Sequence, residues 1–194
     1  MTSRSATPTP SRTCPLCGDA RVVNVASSAH LMSAVDFDDP HFERTPYEAW
    51  TAYARSKTAM ILFAFAFAFA FAFALAGRWA ADGITVNALH PGGIMTNRRR
   101  HLDEAQLGFV GAMDDRGHVL AVPPGWKTPE QGAVTSVLLA GSPLVAGITG
   151  RYFEVAALAP VQPNSTPGAG GVAPYAIEPA LAARLWDETL RMLG

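Results

Sequence analysis

A chain of 194 residues, 49% hydrophobic and 16% charged, suits one domain with a sizeable core. Fifteen basic against sixteen acidic residues leave a formal net charge of −1, so no basic field points to nucleic acid or an anionic surface as partner. Two cysteines cannot build a disulfide framework, and the first 20 residues lack the apolar segment of a secretory signal; the context reads as cytoplasmic.

Residues 1–20, MTSRSATPTPSRTCPLCGDA, are rich in Ser, Thr and Pro and read as a disordered leader. Cys14 and Cys17 could be half of a zinc site, but a structural site needs four ligands. No second pair exists, and the five histidines show no ligand spacing, so no metal is expected. Arg21 to Ser27, RVVNVAS, is a β-branched run that fits a buried strand. The acidic DFDDPHFERTP follows; Asp36, Asp38 and Asp39 lack the EF-hand spacing and read as a solvated loop. From Tyr47 a helical stretch runs through a Phe-Ala alternation, residues 63–74, to a stop near Gly83. ITVNALH, Ile84 to His90, is a second buried strand, broken at once by PGG.

Residues 98–127 alternate charge, Gly and Pro and read as a lid or loop, with the arginines of NRRR solvated. Thr128, Pro129 and Gln131 form a capping box that opens a helix. GRYFEVAAL is a third strand, residues 159–174 are a Pro/Gly-rich linker, and EPALAARLWDETLRML is an amphipathic helix. Its Leu181, Leu185, Leu190 and Leu193 fall near one face. Trp50, Trp126 and Trp186 read as packing residues. Strands alternating with helices imply a parallel α/β sheet.

The Phe-Ala tract supports three readings. Strict alternation is a strand signal and also a steric-zipper pattern. Residues 58–77 carry no charge, and ~20 residues at 1.5 Å each match a bilayer core. Helix is favoured, because YEAWTAYARSKTAM nucleates it and alanine supports it. As a helix, its six phenylalanines fall in two opposed groups and leave no polar face. Residues 58–77 are therefore expected to avoid water, with self-association or membrane association as the consequence.

Tyr53 and Lys57 are four apart and share one helix face. Ser27 ends a strand, and sites in parallel α/β folds form at the carboxyl ends of strands. HPGGIMTN follows the next strand at the same rim. These residues resemble the short-chain dehydrogenase/reductase family. The resemblance covers about residues 21–194 through NVASSAH, YARSK (the YxxxK signature), ITVNALHPGGIMT and GRYFEV…ARLWDETLRML. It is most similar to the retinol-dehydrogenase-like oxidoreductases.

The resemblance implies a partial Rossmann-type parallel sheet of about three strands with flanking helices, one unusually long and hydrophobic. It implies an NAD or NADP cofactor, and hydride transfer to or from an alcohol or carbonyl of a hydrophobic small molecule. Tyr53 would be the catalytic acid/base. Lys57 would assist it and hold the nicotinamide ribose. Ser27 would bond the substrate oxygen, Ala26 standing where the family writes a first serine; Ser28 is the lesser choice. Pro91, Gly92 and Thr96 match the segment that cradles the nicotinamide. A phenol titrates near ~10, so work near neutral pH asks for ~3–4 kcal/mol of help. An ammonium ~4 Å away supplies ~4 kcal/mol at an effective dielectric of ~20 and only ~1 in bulk water. Such a pair needs a closed, dry site.

The chain also departs from the family pattern. No Gly-rich turn precedes Ser27, and the GAGG at residues 168–171 lies in the linker. Residues 21–194 are thus expected to be the C-terminal part of a dehydrogenase domain, with the first strand an exposed apolar edge and dinucleotide binding weak. The YxxxK helix is ~8 residues longer than the family's, a ~80° rotation of whatever follows. The alternative is a non-catalytic fragment that associates through the Phe-Ala helix.

Overall fold

The computed structural model describes residues 20–69, 83–94, 96, 101–121, 123, 125–164 and 170–194. The leader, the end of the Phe-Ala tract and the arginines at 97–100 lie outside the described residues. Four strands lie in the order β1-β2-β3-β4: Arg21–Val25, Thr85–His90, Tyr152–Glu154 and Ala157–Leu158. The first three are parallel, with Val25 opposite Leu89 and Leu89 opposite Phe153, and β4 turns back antiparallel. The helices are α1 Ala49–Phe69, α2 Glu104–Phe109, α3 Pro129–Gly141 and α4 Pro179–Leu193.

Alternation along the strands assigns the two faces. Val86 and Ala88 of β2 pack with Ile61, Ala64 and Phe67 of α1. Leu89, Phe153 and the half-buried Val23 pack with Leu139 of α3. Arg21 on β1 donates to the carbonyls of Leu139 and Ser142, where a cation complements the C-terminus of α3. The crossovers β1–α1–β2 and β2–α3–β3 advance in the same direction across the sheet on opposite faces. They therefore have opposite hands, and one departs from the right-handed rule. Among the described residues β1 has no second strand beside it, and Val22 and Val25 are 41% and 44% exposed. The expected apolar edge is present.

α1 begins at Ala49, two residues after the expected start, because Glu48 accepts from the backbone N–H groups of Trp50 and Thr51. It remains helical through Phe69, the last described residue of the tract. Its sides meet different partners. Phe67 belongs to the cluster on the sheet, while Phe65 and Leu62 pack with Ala182 and, around them, Leu181, Leu185 and Trp186 of α4. A helix apolar all round is one that is covered on both sides. Among the described residues no helix is long and apolar enough to cross a membrane. On α4, Leu181 and Leu185 face α1, whereas Leu190 and Leu193 are 45% and 79% exposed, which corrects the single leucine face.

Two loop expectations also change. Residues 98–127 contain α2, opened by a capping box in which Asp103 accepts from the backbone of Gln106 and the Gln106 side chain accepts from that of Asp103. The acidic loop is organised rather than merely solvated. Asp39 is buried, and its carboxylate accepts from the Thr45 hydroxyl and from the backbone N–H groups of Glu43, Arg44 and Thr45. The Thr45 hydroxyl leads the causes that hold this carboxyl at about 2.

The expected third strand is a hairpin, β3 and β4, joined at Val155 and Ala156 with φ of 48° and 57°. Two-residue hairpins favour positive φ at both central positions, which suits Asn-Gly and strains a β-branched valine. Thr135 on α3 holds the turn by accepting from the Ala156 N–H at 3.1 Å. Replacing Val155–Ala156 with Asn-Gly is expected to stabilise the fold by about 1–2 kcal/mol in urea titration; unchanged or lower stability would contradict the strain.

Candidate active site

The site is built at the carboxyl ends of β1 and β2. Pairing continues one residue past β1, where the Ala26 N–H donates to the Leu89 carbonyl at 2.8 Å. Ser27 then leaves the sheet. Its hydroxyl oxygen accepts from the Ala29 N–H at 3.2 Å and caps a 3-10 turn over Ser28–Met32. Among the described residues no acceptor takes the hydroxyl proton.

The buried His30 fixes this corner. Its Nε2 accepts from the Ala173 N–H at 3.2 Å, so Nδ1 carries the proton and donates to the Ser27 carbonyl at 2.7 Å. The His30 carbonyl accepts from the Thr58 and Tyr175 hydroxyls, which ties α1 and the C-terminal segment to the same corner. Burial lowers the His30 pKa, and the neutral ring this favours is the one the two bonds use.

Lys57 joins α1 to β1. Its Nζ donates to the Val25 carbonyl at 3.1 Å and lies 5.4 Å from the centroid of the Tyr53 ring. An ammonium has three donors, and the Val25 carbonyl takes one. Tyr53 is half-buried, with its ring edge-on to Trp50 at 6.0 Å; Trp50 in turn meets Phe109 of α2 at 5.2 Å. The Lys57–Val25 bond is exposed. The dry enclosure that the pair needs must therefore come from whatever settles over it.

At the end of β2, Lys127 straps the Pro91–Ile94 turn. Its backbone N–H donates to the Gly93 carbonyl at 2.8 Å and its Nζ to the Pro91 carbonyl at 3.2 Å. Gly92 has φ 101°, and a Cβ there would lie 2.9 Å from Lys127 Cδ. A Cβ on Gly93 would lie 3.0 Å from the Trp126 ring. The positive φ favours glycine at position 92, a Cβ at position 93 would press on the Trp126 ring, and Trp126 packs as expected. Thus Ser27, Lys57 and the Pro91–Gly92 turn lie at neighbouring strand ends, while Thr96 is exposed beyond the Ile94–Lys127 bridge.

His90 precedes this turn, and its Nδ1 is buried with no partner among the described residues. Burial, then the Lys127 charge, press its pKa down to about 4. A histidine that protonates less readily folded than unfolded supports the fold fully above its ordinary value of 6.5. That support is lost as pH falls through 6.5 towards 4. The melting temperature is expected to drop across this window, and in Lys127→Met the His90 NMR titration should move up. A His90 midpoint at 6.5 would contradict the burial.

Sequence reading missed His30 and Lys127. Lys127 sits next to a capping box that the sequence shows, but nothing in the sequence aims its Nζ at Pro91.

No protein-family model matches the chain. It is 51% identical over 170 residues to a Streptomyces lividans protein named "Probable oxidoreductase", covering 88% of this chain and 54% of that protein. It is 33% identical to human retinol dehydrogenase 13, covering 90% of this chain and 46% of that one. To short-chain dehydrogenase/reductase prx1 of Penicillium roqueforti it is 34% identical, covering 90% and 47%. The chain belongs to the short-chain dehydrogenase/reductase family. It spans about half the length of these relatives. A solved structure of an uncharacterized protein from Mycobacterium Paratuberculosis shares the fold, with a TM-score of 0.51, 21% identity, and coverage of 89% of this chain and 50% of that one.

The donor set can be compared with the family's nicotinamide dinucleotide. Lys57, with two donors left after Val25, and the Pro91–Gly92 turn suit the nicotinamide riboside end. For the pyrophosphate end, no Gly-rich turn among the described residues runs directly from a strand into a helix N-terminus. The residues fit one half of the cofactor.

Proposed function

We propose that the chain carries the catalytic end of an NAD(P)-dependent oxidoreductase acting on an alcohol or carbonyl of a hydrophobic small molecule. We read residues 21–194 as the C-terminal part of that domain. The observation that carries the reading is Lys57 bridging from the Tyr53 face of α1 to the last residue of β1, two before Ser27.

In the alcohol-oxidising direction, Ser27 donates to the substrate oxygen and Tyr53 Oη takes its proton as the C–H hydride leaves. In reduction, Tyr53 Oη returns that proton. A bound NAD(P) supplies or accepts the hydride. Lys57 would hold the ribose hydroxyls, Pro91 and Gly92 would hold the nicotinamide, and Thr96 lies in the same segment.

Because the described residues offer donors suited to the nicotinamide end and no phosphate cradle, reduced nicotinamide mononucleotide should serve the purified chain about as well as NADH. Loss of nicotinamide absorbance with a hydrophobic aldehyde should saturate only at millimolar donor. No turnover at any concentration would overturn the catalytic reading. Saturable NADH binding below about 10 μM, or ~ −7 kcal/mol, would overturn the half-site.

A further inference from the structure

We infer that Trp50 and Phe109 form an aromatic rail that selects a planar, ring-bearing alcohol or carbonyl compound and delivers its oxygen-bearing carbon to Tyr53. This names the substrate class of the site proposed above and rests on that reading.

Three observations carry it. First, Tyr53, Trp50 and Phe109 form a continuous series of rings, with centroid separations of 6.0 and 5.2 Å and interplanar angles of 85° and 49°. A flat π-system gains from offset or edge contacts with aromatic rings. Second, none of the three belongs to the hydrophobic clusters that hold the sheet to α1, α3 and α4. Phe109 is 63% exposed. A large aromatic in water beside an acid/base candidate serves a ligand better than it serves the core. Third, the rail begins at the Tyr53 ring and runs away from Lys57, which lies over that ring. One end of the strip is charged and hydrogen-bonding, the other wholly apolar. It orders a ligand with its oxygen towards Ser27 and Tyr53 and its rings towards Phe109.

Phe109 is also set for this place. It is the last residue of α2, a helix of six residues fixed at its start by the Asp103–Gln106 box and anchored by the buried Leu107. The ring therefore projects from a short braced element that follows the Pro91–Ile94 turn.

Direct binding tests the rail without turnover. The probe is 2-naphthalenemethanol, with cyclohexylmethanol as the non-aromatic comparison, followed by saturation-transfer NMR on the whole chain. Wild type should bind the naphthyl alcohol on the order of tenfold more tightly than the cyclohexyl one. Trp50→Ala and Phe109→Ala should each erase most of that preference, and Trp50→Phe should keep most of it. Trp50→Phe also guards against a fold defect in Trp50→Ala, since Phe109 is exposed enough for its truncation to leave the fold intact. Tyr53→Phe should retain naphthyl binding. Equal affinity for the two alcohols in wild type, or an undiminished preference in both alanine variants, overturns the rail. The oxidoreductase reading fails separately, through a wild-type chain that turns over no aldehyde at any concentration of reduced nicotinamide mononucleotide.

Discussion

Tyr53→Phe is expected to lower turnover about 10²–10⁴-fold, the usual span for a removed acid/base, and to leave the fold alone. The substitution deletes one oxygen and keeps the ring that meets Trp50 edge-on. The unfolding free energy should therefore stay within about ±0.5 kcal/mol of wild type. Lys57→Ala should behave differently. It removes the donor to the Val25 carbonyl as well as the charge over the Tyr53 ring, so turnover, affinity for the nicotinamide nucleotide and stability should all fall. The contrast separates proton transfer from positioning. Turnover in Tyr53→Phe equal to wild type would end the assignment, whatever Lys57→Ala does.

The sheet, its parallel order and the family were legible because they rest on patterns that survive without coordinates. Arg21 to Ser27 and Ile84 to His90 are short β-branched runs closed by turn residues. Thr128 and Gln131 spell a cap whose two reciprocal bonds the structure contains. The Asp103–Gln106 box repeats that spacing with aspartate at the cap, but it opens a helix too short to show a period, and so it reads as loop. Tertiary partners were not legible. His30 looked like an isolated histidine because its donor, Ala173, is 143 residues away. Asp39 looked like one of three solvated acids because its four donors become neighbours only when the chain folds back at Phe42, which has φ 56°. For the candidate site, sequence spacing put Tyr53 and Lys57 on one face, but only the folded chain shows Lys57 committed to Val25 and Trp50 extending towards Phe109.

Phe67→Ala is expected to cost about 3–5 kcal/mol, the loss for truncating a buried phenylalanine that leaves a cavity. That is a large part of the roughly 5–15 kcal/mol that holds a domain together. The reason is where α1 sits. Two residues of helix turn the chain by about 200°, so successive phenylalanines of the tract point to opposed sides. Phe67 is 5% exposed in the cluster with Val86 and Ala88, and Phe65 is 9% exposed in the cluster with Ala182. The alternation that looked like a surface burden is, through this stretch, what lets one helix fill the space between the sheet and α4. Phe63 differs: it is half-buried with its ring 5.8 Å from Trp186, and Phe63→Ala should cost about 1 kcal/mol. On an exposed apolar helix, charged or polar substitutions raise solubility. At Phe67 the outcome should be the reverse, because Glu there places an unpaired charge against the sheet. Urea unfolding of Phe63→Ala, Phe67→Ala and Phe67→Glu orders the three. A Phe67→Glu chain that folds, unfolds cooperatively and is more soluble than wild type would remove α1 from the core and return the tract to the surface.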